Sequence, residues 1–259
     1  MPLGVFDSGI GGLTVVRALR AAFPRRDILY VGDTARVPYG NKSAETVQTY
    51  SREITDFLEK KGAERIVAAC NTASALAVGV LARTKKVPLH GMIESGVASA
   101  LAAGDGPVGV IGTPATISSG AYQQALAKAR PGLKVVAQAT PLFVPLVEEG
   151  WLEGEVTEKI ARTYLEPLIR EKIRVLVLAC THYPLLKGVL GKVLGPHVRL
   201  VDSSEACAAS LQASEGERME KGELKIFLTD EPGPFLGRVE SFLGKGAVGS
   251  IERIHLPHS

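Results

Sequence analysis

Short apolar runs rich in β-branched residues recur along the chain, at 4–6, 28–31, 65–69, 108–111, 135–137, 175–178 and 198–201. Between them lie segments such as 43–61 and 154–172, whose apolar residues return every three or four positions. The first pattern predicts buried strands and the second predicts helices with one apolar face. Their alternation predicts an α/β fold of mostly parallel sheets flanked by helices. In such sheets, backbone groups are free beyond the carboxyl ends of the strands, so residues that bind or react are expected there.

Two sets of strand ends echo each other. Gly4-Val5-Phe6-Asp7-Ser8-Gly9 is matched by Gly109-Val110-Ile111-Gly112-Thr113-Pro114. Arg65-Ile66-Val67-Ala68-Ala69-Cys70-Asn71-Thr72 is matched by Val175-Leu176-Val177-Leu178-Ala179-Cys180-Thr181-His182. Apolar runs are common in parallel sheets and carry little by themselves; the repeated cysteine with polar residues after it carries more. The repetition predicts two pseudo-symmetric α/β domains with the active site in the cleft between them. Residues 98–207 are expected to form the second domain, and 1–97 with 208–259 the first. After a helical pattern at 206–213 and a charged, glycine-containing stretch at 214–223, the tail holds a strand-like run (225–229) and a helical one (235–243). That is too little to bury a core of its own, so the tail is assigned back to the first domain.

The 259-residue chain is 46% hydrophobic and 22% charged, with a formal net charge of +3. Its basic clusters at 24–26 and 83–86 are short and stand apart from aromatic residues, so no nucleic-acid partner is expected. The first residues lack a basic cluster and place an acid at Asp7, unlike a secretion signal. The most apolar stretch, 73–82, is too short to span a bilayer. No membrane partner is expected, and the chain reads as a cytoplasmic protein. Its three cysteines, Cys70, Cys180 and Cys207, fit neither a disulfide framework nor a zinc ribbon. A reducing interior would keep them as free thiols, and no metal site is expected.

Cys70 and Cys180 each follow an apolar run and precede a predicted helix start, where unpaired backbone N–H groups favour negative charge. Taken singly, each reads as a small buried hydrophobe. Taken together, with Asn71-Thr72 and Thr181-His182 attached, they read as chemistry. An ordinary thiol titrates near ~8.5, so a pair flanking one carbon can act as base on one face and acid on the other. Asp7 and His182 are candidate proton partners. An Asp ahead of a helix also serves as an N-cap, with Ser8 able to share the role, and a histidine can be purely structural. Cys207 has no such neighbours and reads as structural. A different reading starts from Gly9-Ile10-Gly11-Gly12 after the first strand and Asp33 at the end of the second, which together suggest a dinucleotide-binding loop. Against it, Thr14 stands where the third glycine belongs, and Asp7 would repel a pyrophosphate. Close backbone approach to a small anionic substrate accounts for the glycines equally well.

Five segments, in order, resemble the glutamate racemase family: VFDSGIGG from Val5, Gly32-Asp33 with Val37-Pro38-Tyr39-Gly40, Cys70-Asn71-Thr72-Ala73-Ser74, PLFVPLVEEG from Pro141, and Cys180-Thr181-His182-Tyr183-Pro184. The resemblance covers essentially the whole chain. It implies an isomerase that interconverts L- and D-glutamate without a cofactor, supplies D-glutamate for peptidoglycan, and forms a homodimer. It also implies roles at the matching positions. Cys70 is the base for D-glutamate and Cys180 the base for L-glutamate, Asp7 and His182 assist them, and Glu148 holds His182. Ser8, Tyr39, Gly40, Asn71, Thr72 and Thr181 bind the substrate's carboxylates and ammonium, with Asp7 and His182 alongside. Thr113 and Thr116, in a Gly-Thr-x-x-Thr turn, are further candidates. Two departures stand out: Asp33-Thr34 replaces the family's Asp-Ser, and Ala179 replaces the glycine before the second cysteine. Neither removes a reactive group. Three rival readings stay open: a racemase of aspartate, against which His182 and the Pro38-Tyr39-Gly40 segment weigh, a nucleotide-binding oxidoreductase, and a noncatalytic binder of a small acid.

Overall fold

In the computed structural model, residues 2–211, 221–243 and 248–257 are described. Their strands are β1 (Leu3–Asp7), β2 (Ile28–Gly32), β3 (Arg65–Ala68), β4 (Leu89–His90), β5 (Val108–Gly112), β6 (Val135–Ala139), β7 (Val175–Ala179), β8 (Arg199–Val201), β9 (Leu224–Leu228) and β10 (Ser250–Arg253). They make a six-stranded sheet in the order β10-β9-β2-β1-β3-β4 and a four-stranded sheet in the order β6-β5-β7-β8. Every pairing is parallel.

The order β2-β1-β3-β4 in one sheet has its counterpart in β6-β5-β7-β8 in the other. The echoed runs are therefore equivalent strands of two like sheets: β1 answers to β5, and β3 to β7. Cys70 follows β3 and Cys180 follows β7, so the two thiols occupy corresponding places. In each sheet the chain also reverses its direction of progress across the central strand, β1 or β5, which opens a crevice at the strands' carboxyl ends.

The strand sequences explain this layering. β1, β2, β5 and β7 are buried along their whole length, as expected of strands covered on both faces. Side chains alternate between the two sides. Val108, Val110, Val175 and Val177 join one core cluster, while Ile111, Leu176 and Leu178 join another beneath the sheet's opposite face. The long helices lie against these clusters with one apolar face each. In Ala44–Lys60 that face is Val47, Ile54 and Leu58, and Ser43 caps the helix by accepting from the Thr46 N–H at 3.2 Å.

The tail extends the first sheet. β9 pairs with β2, with Leu224 opposite Ile28, and β10 pairs with β9. The helix Ser204–Leu211 follows β8 but packs on the six-stranded sheet's side, where Cys207, Ala208 and Leu211 join the core cluster of Leu13, Val16 and Leu19. Parts of two predicted segments, 212–213 of the helical pattern and 214–220 of the charged stretch, lie outside the described residues. Two strands were not foreseen. β4 has only two residues, and β10 reads Ser-Ile-Glu-Arg at a sheet edge, with little apolar pattern. No helix among the described residues is long and apolar enough to cross a membrane.

Candidate active site

The carboxyl ends of both sheets contribute to one narrow pocket. From the six-stranded sheet come Ser8 after β1, Tyr39 and Gly40 after β2, and Cys70, Asn71 and Thr72 after β3. From the four-stranded sheet come Thr113 after β5 and Cys180, Thr181 and His182 after β7. The two cysteines thus line the same cavity, each arriving from its own sheet. Asp7, Thr116 and Glu148 stand outside this lining. Val37, Pro38, Val144 and Ala179 belong to it and were not picked out as site residues from the sequence. The first three are apolar side chains near a reacting centre, and apolarity alone does not distinguish them from core.

Cys70 ends its strand as the N-cap of the helical segment Asn71–Ala73, and its sulfur accepts from the Ala73 N–H at 3.5 Å. Its thiol also points at Ser8 Oγ, 3.7 Å away. Burial first, and the nearby Asp7 charge second, push the Cys70 thiol up to about 12, against smaller opposing effects from Ala73 and Ser8. In the ligand-free protein Cys70 is a neutral thiol. Asp7 is fully buried, and burial raises its own carboxyl, while the His182 charge, the Gly12 and Gly9 N–H groups and Thr181 pull it back. Its oxygens accept from the Gly9 N–H at 3.1 Å and from Thr181 Oγ1 at 3.4 Å. No hydrogen bond among the described residues joins Asp7 to Cys70, so Asp7 reaches that sulfur through its charge.

The second thiol has a different companion. Cys180 Sγ lies 4.0 Å from His182 Nδ1, and His182 Nε2 lies 3.3 Å from Glu148 Oε1. The latter contact is close enough for an ion pair but is not aligned as a hydrogen bond. Burial alone would lower the His182 imidazole; Cys180, Glu148 and the Asp7 charge outweigh it and raise it to about 10. The raised value favours the protonated ring, which lies between the Cys180 sulfur and the Glu148 carboxylate.

Contacts across the cleft are short and polar. Thr72, Thr113 and Thr116 form a triangle of hydroxyls 2.9, 2.9 and 3.0 Å apart. Gly40 permits this approach, because a Cβ there would stand 2.6 Å from the Cβ of Thr113. Thr14 Oγ1 reaches the Thr181 carbonyl at 3.3 Å. Tyr39 lines the pocket, while its hydroxyl is engaged by Asp33, to which it donates. Asp33 also accepts from Arg36 Nε, at 2.9 and 2.8 Å, and from Thr229 Oγ1 at 2.9 Å. Arg36 continues to Glu53 at 2.5 Å and lies 4.0 Å above the Tyr50 ring. These contacts undo the dinucleotide reading. Asp33 is consumed in a buried network, and the space over Gly11 is filled by the His182 ring and Thr181. Cys207 is fully buried in the core, away from the pocket.

Residues 13–211 match the family described as Asp/Glu/Hydantoin racemase. A glutamate racemase of Syntrophus aciditrophicus is 47% identical over 98% of this chain and 97% of its own length. Among solved structures, glutamate racemase from Francisella tularensis, determined in complex with D-glutamate, superposes with a TM-score of 0.91 at 36% identity, covering 100% of this chain and 98% of that one. A glutamate racemase isoform from Bacillus anthracis gives a TM-score of 0.94 at 34% identity, covering 99% and 98%.

Proposed function

The chain belongs to the Asp/Glu/Hydantoin racemase family, and from that premise we propose that it interconverts L- and D-glutamate by passing protons between Cys70 and Cys180. The observation that carries this reading is the shared pocket: two free thiols, at equivalent strand ends of two like sheets, line one cavity. A carbon held between them is accessible to one sulfur on each face.

In the D-to-L direction Cys70, as thiolate, takes the α-proton and becomes a thiol. Cys180 delivers its thiol proton to the opposite face and becomes a thiolate. Reversal of these roles serves L-glutamate. Burial and Asp7 hold Cys70 protonated in the free protein, so before it acts as base its proton leaves to solvent, and the substrate ammonium entering the same cavity stabilises the thiolate that remains. On the other face the His182 imidazolium already stands beside Cys180. Ser8, Asn71, Thr72, Thr113 and Thr181, with the backbone at Tyr39 and Gly40, supply donors for the two carboxylates. Thr116 orients Thr72 and Thr113, and Glu148 holds His182.

The same reading assigns 1–97 with 208–259 to one domain and 98–207 to the other, supported by which strands share a sheet; the second boundary falls inside the helix Ser204–Leu211, whose Cys207 packs with the first domain's core. By resemblance to the glutamate racemase family, the reading extends to a cytoplasmic homodimer that needs no added cofactor and feeds D-glutamate to peptidoglycan synthesis. The test is racemisation of each glutamate enantiomer without pyridoxal phosphate, followed by optical rotation, with aspartate in parallel. Glutamate turnover is the expected result. Faster aspartate turnover, or glutamate binding without exchange of its α-hydrogen for solvent deuterium, would overturn it.

A further inference from the structure

Asn71 is a side chain whose function depends on which way its amide faces. One end of the amide only accepts hydrogen bonds and the other only donates. A substrate carboxylate is satisfied by the donor end and repelled by the carbonyl end. Asn71 lines the pocket directly after Cys70, so its orientation decides whether it attracts or repels glutamate.

The other half of the molecule fixes that orientation. Tyr122, fully buried in the helix Ala121–Ala129 that follows β5, places its hydroxyl 2.6 Å from Asn71 Oδ1. The distance suits an O–H donor to a carbonyl oxygen. The same hydroxyl has a second acceptor, the Met92 carbonyl, at the longer distance of 3.3 Å. A hydroxyl has one proton to give, and the shorter contact takes it: 2.6 Å to Asn71 Oδ1 against 3.3 Å to the Met92 carbonyl. Asn71 Oδ1 is thereby occupied, and Nδ2 has no partner among the described residues. The donor end is what remains for the cavity.

We propose that Tyr122 is a positioning residue for the racemase reaction, locking the Asn71 amide so that its N–H groups face a substrate carboxylate. This rests on the glutamate reading of the pocket. It also gives the contact between the two halves a purpose in substrate binding, since the residue that orients Asn71 belongs to the strand-and-helix set of the opposite sheet.

Replacing the phenol by phenyl removes the lock and keeps the packing. Without it, Asn71 is free to turn its carbonyl inward. The expected result for Tyr122→Phe is a KM for glutamate raised about tenfold, in both directions, with kcat changed less than about threefold, the pattern of lost binding rather than lost chemistry. The second variant is Asn71→Ala, and the third combines the two. If Tyr122 works through Asn71, the double variant has the KM of Asn71→Ala within about twofold, because no amide remains to orient. Wild-type protein inactive on glutamate defeats the underlying function. Active wild type with an unchanged KM in Tyr122→Phe, or additive effects in the double variant, defeats the positioning role alone. Thermal unfolding is run alongside; a lowered midpoint with unaltered KM also counts against it, as the signature of a merely structural tyrosine.

Discussion

Gly11 lies against the imidazole of His182: a Cβ at Gly11 would stand 2.6 Å from both Cε1 and Nδ1 of that ring, and 2.6 Å from Thr181 Oγ1. Gly11 belongs to the loop after β1, and His182 to the loop after β7. The absence of one side chain in the first half therefore sets the place of the buried cation in the second. His182 has little freedom to yield, because Cys180 and Glu148 flank its two nitrogens.

Gly11→Ala is accordingly expected to displace His182 and Thr181 together and to lower kcat/KM for glutamate by about 10- to 100-fold, the scale of a misplaced acid-base group. Far-ultraviolet circular dichroism should remain that of the wild type. Unimpaired turnover would show that the ring moves aside without consequence.

Cys70→Ala and Cys180→Ala are each expected to abolish measurable racemisation while folding normally, since either removes one of the two proton carriers. Cys207→Ala serves as the contrast. Its thiol is pushed up to about 11 by burial, with Ser95 opposing, and it sits in the core. That variant should keep wild-type kinetics and lose about 1 kcal/mol of stability. Equal damage from all three would point to a general structural effect.

Stability should decline with alkalinity in two stages. The folded protein raises His182 from its ordinary 6.5 to about 10, so the stability this proton contributes is complete below about pH 6.5 and vanishes as pH climbs through about 10. Cys70, raised from 9.0 to about 12, adds a second decline between those values. In His182→Gln, denaturant midpoints measured from pH 6.5 to 9 should be flatter than in the wild type, while the steeper fall above pH 9 should persist. A wild-type curve flat from pH 6.5 to 9 would contradict the His182 assignment, and one with no fall in His182→Gln above pH 9 would contradict that of Cys70.

Arg36→Ala should destabilise the fold by about 3–5 kcal/mol, because it strands the fully buried Asp33 carboxylate without the guanidinium whose Nε–H its two oxygens share. Asp33 also receives the Tyr39 hydroxyl, so the pocket segment Tyr39-Gly40 loses its anchor, and KM should rise as well. Urea unfolding and steady-state kinetics on the same preparation check the two effects.

The sequence disclosed whatever depended on local pattern. The strands β3 and β7 carry apolar runs, and Cys70 and Cys180 follow directly on them, so both the fold class and the chemically important positions could be read directly. Relations that depend on distant residues could not be read. Asp33 meets Thr229, 196 positions away, and its spacing from the glycine loop mimicked a dinucleotide fingerprint until its real partners were visible. Tyr122 carried no motif and looks like any helical aromatic; only its 2.6 Å contact with Asn71 marks it. β4 and β10 escaped because short edge strands need little apolar surface.

The two like sheets surround the cavity with unlike helpers, Asp7 on the side of Cys70 and the His182–Glu148 pair on the side of Cys180. The two mirror-image amino acids have identical free energies in water, so their equilibrium constant is unity whatever the catalyst does. The specificity constants of the forward and backward conversions must then be equal in the native protein and in every variant. Damage to either set of helpers lowers both by one common factor, and the lopsidedness of the machinery can surface only at saturation, in how kcat and KM divide that shared loss.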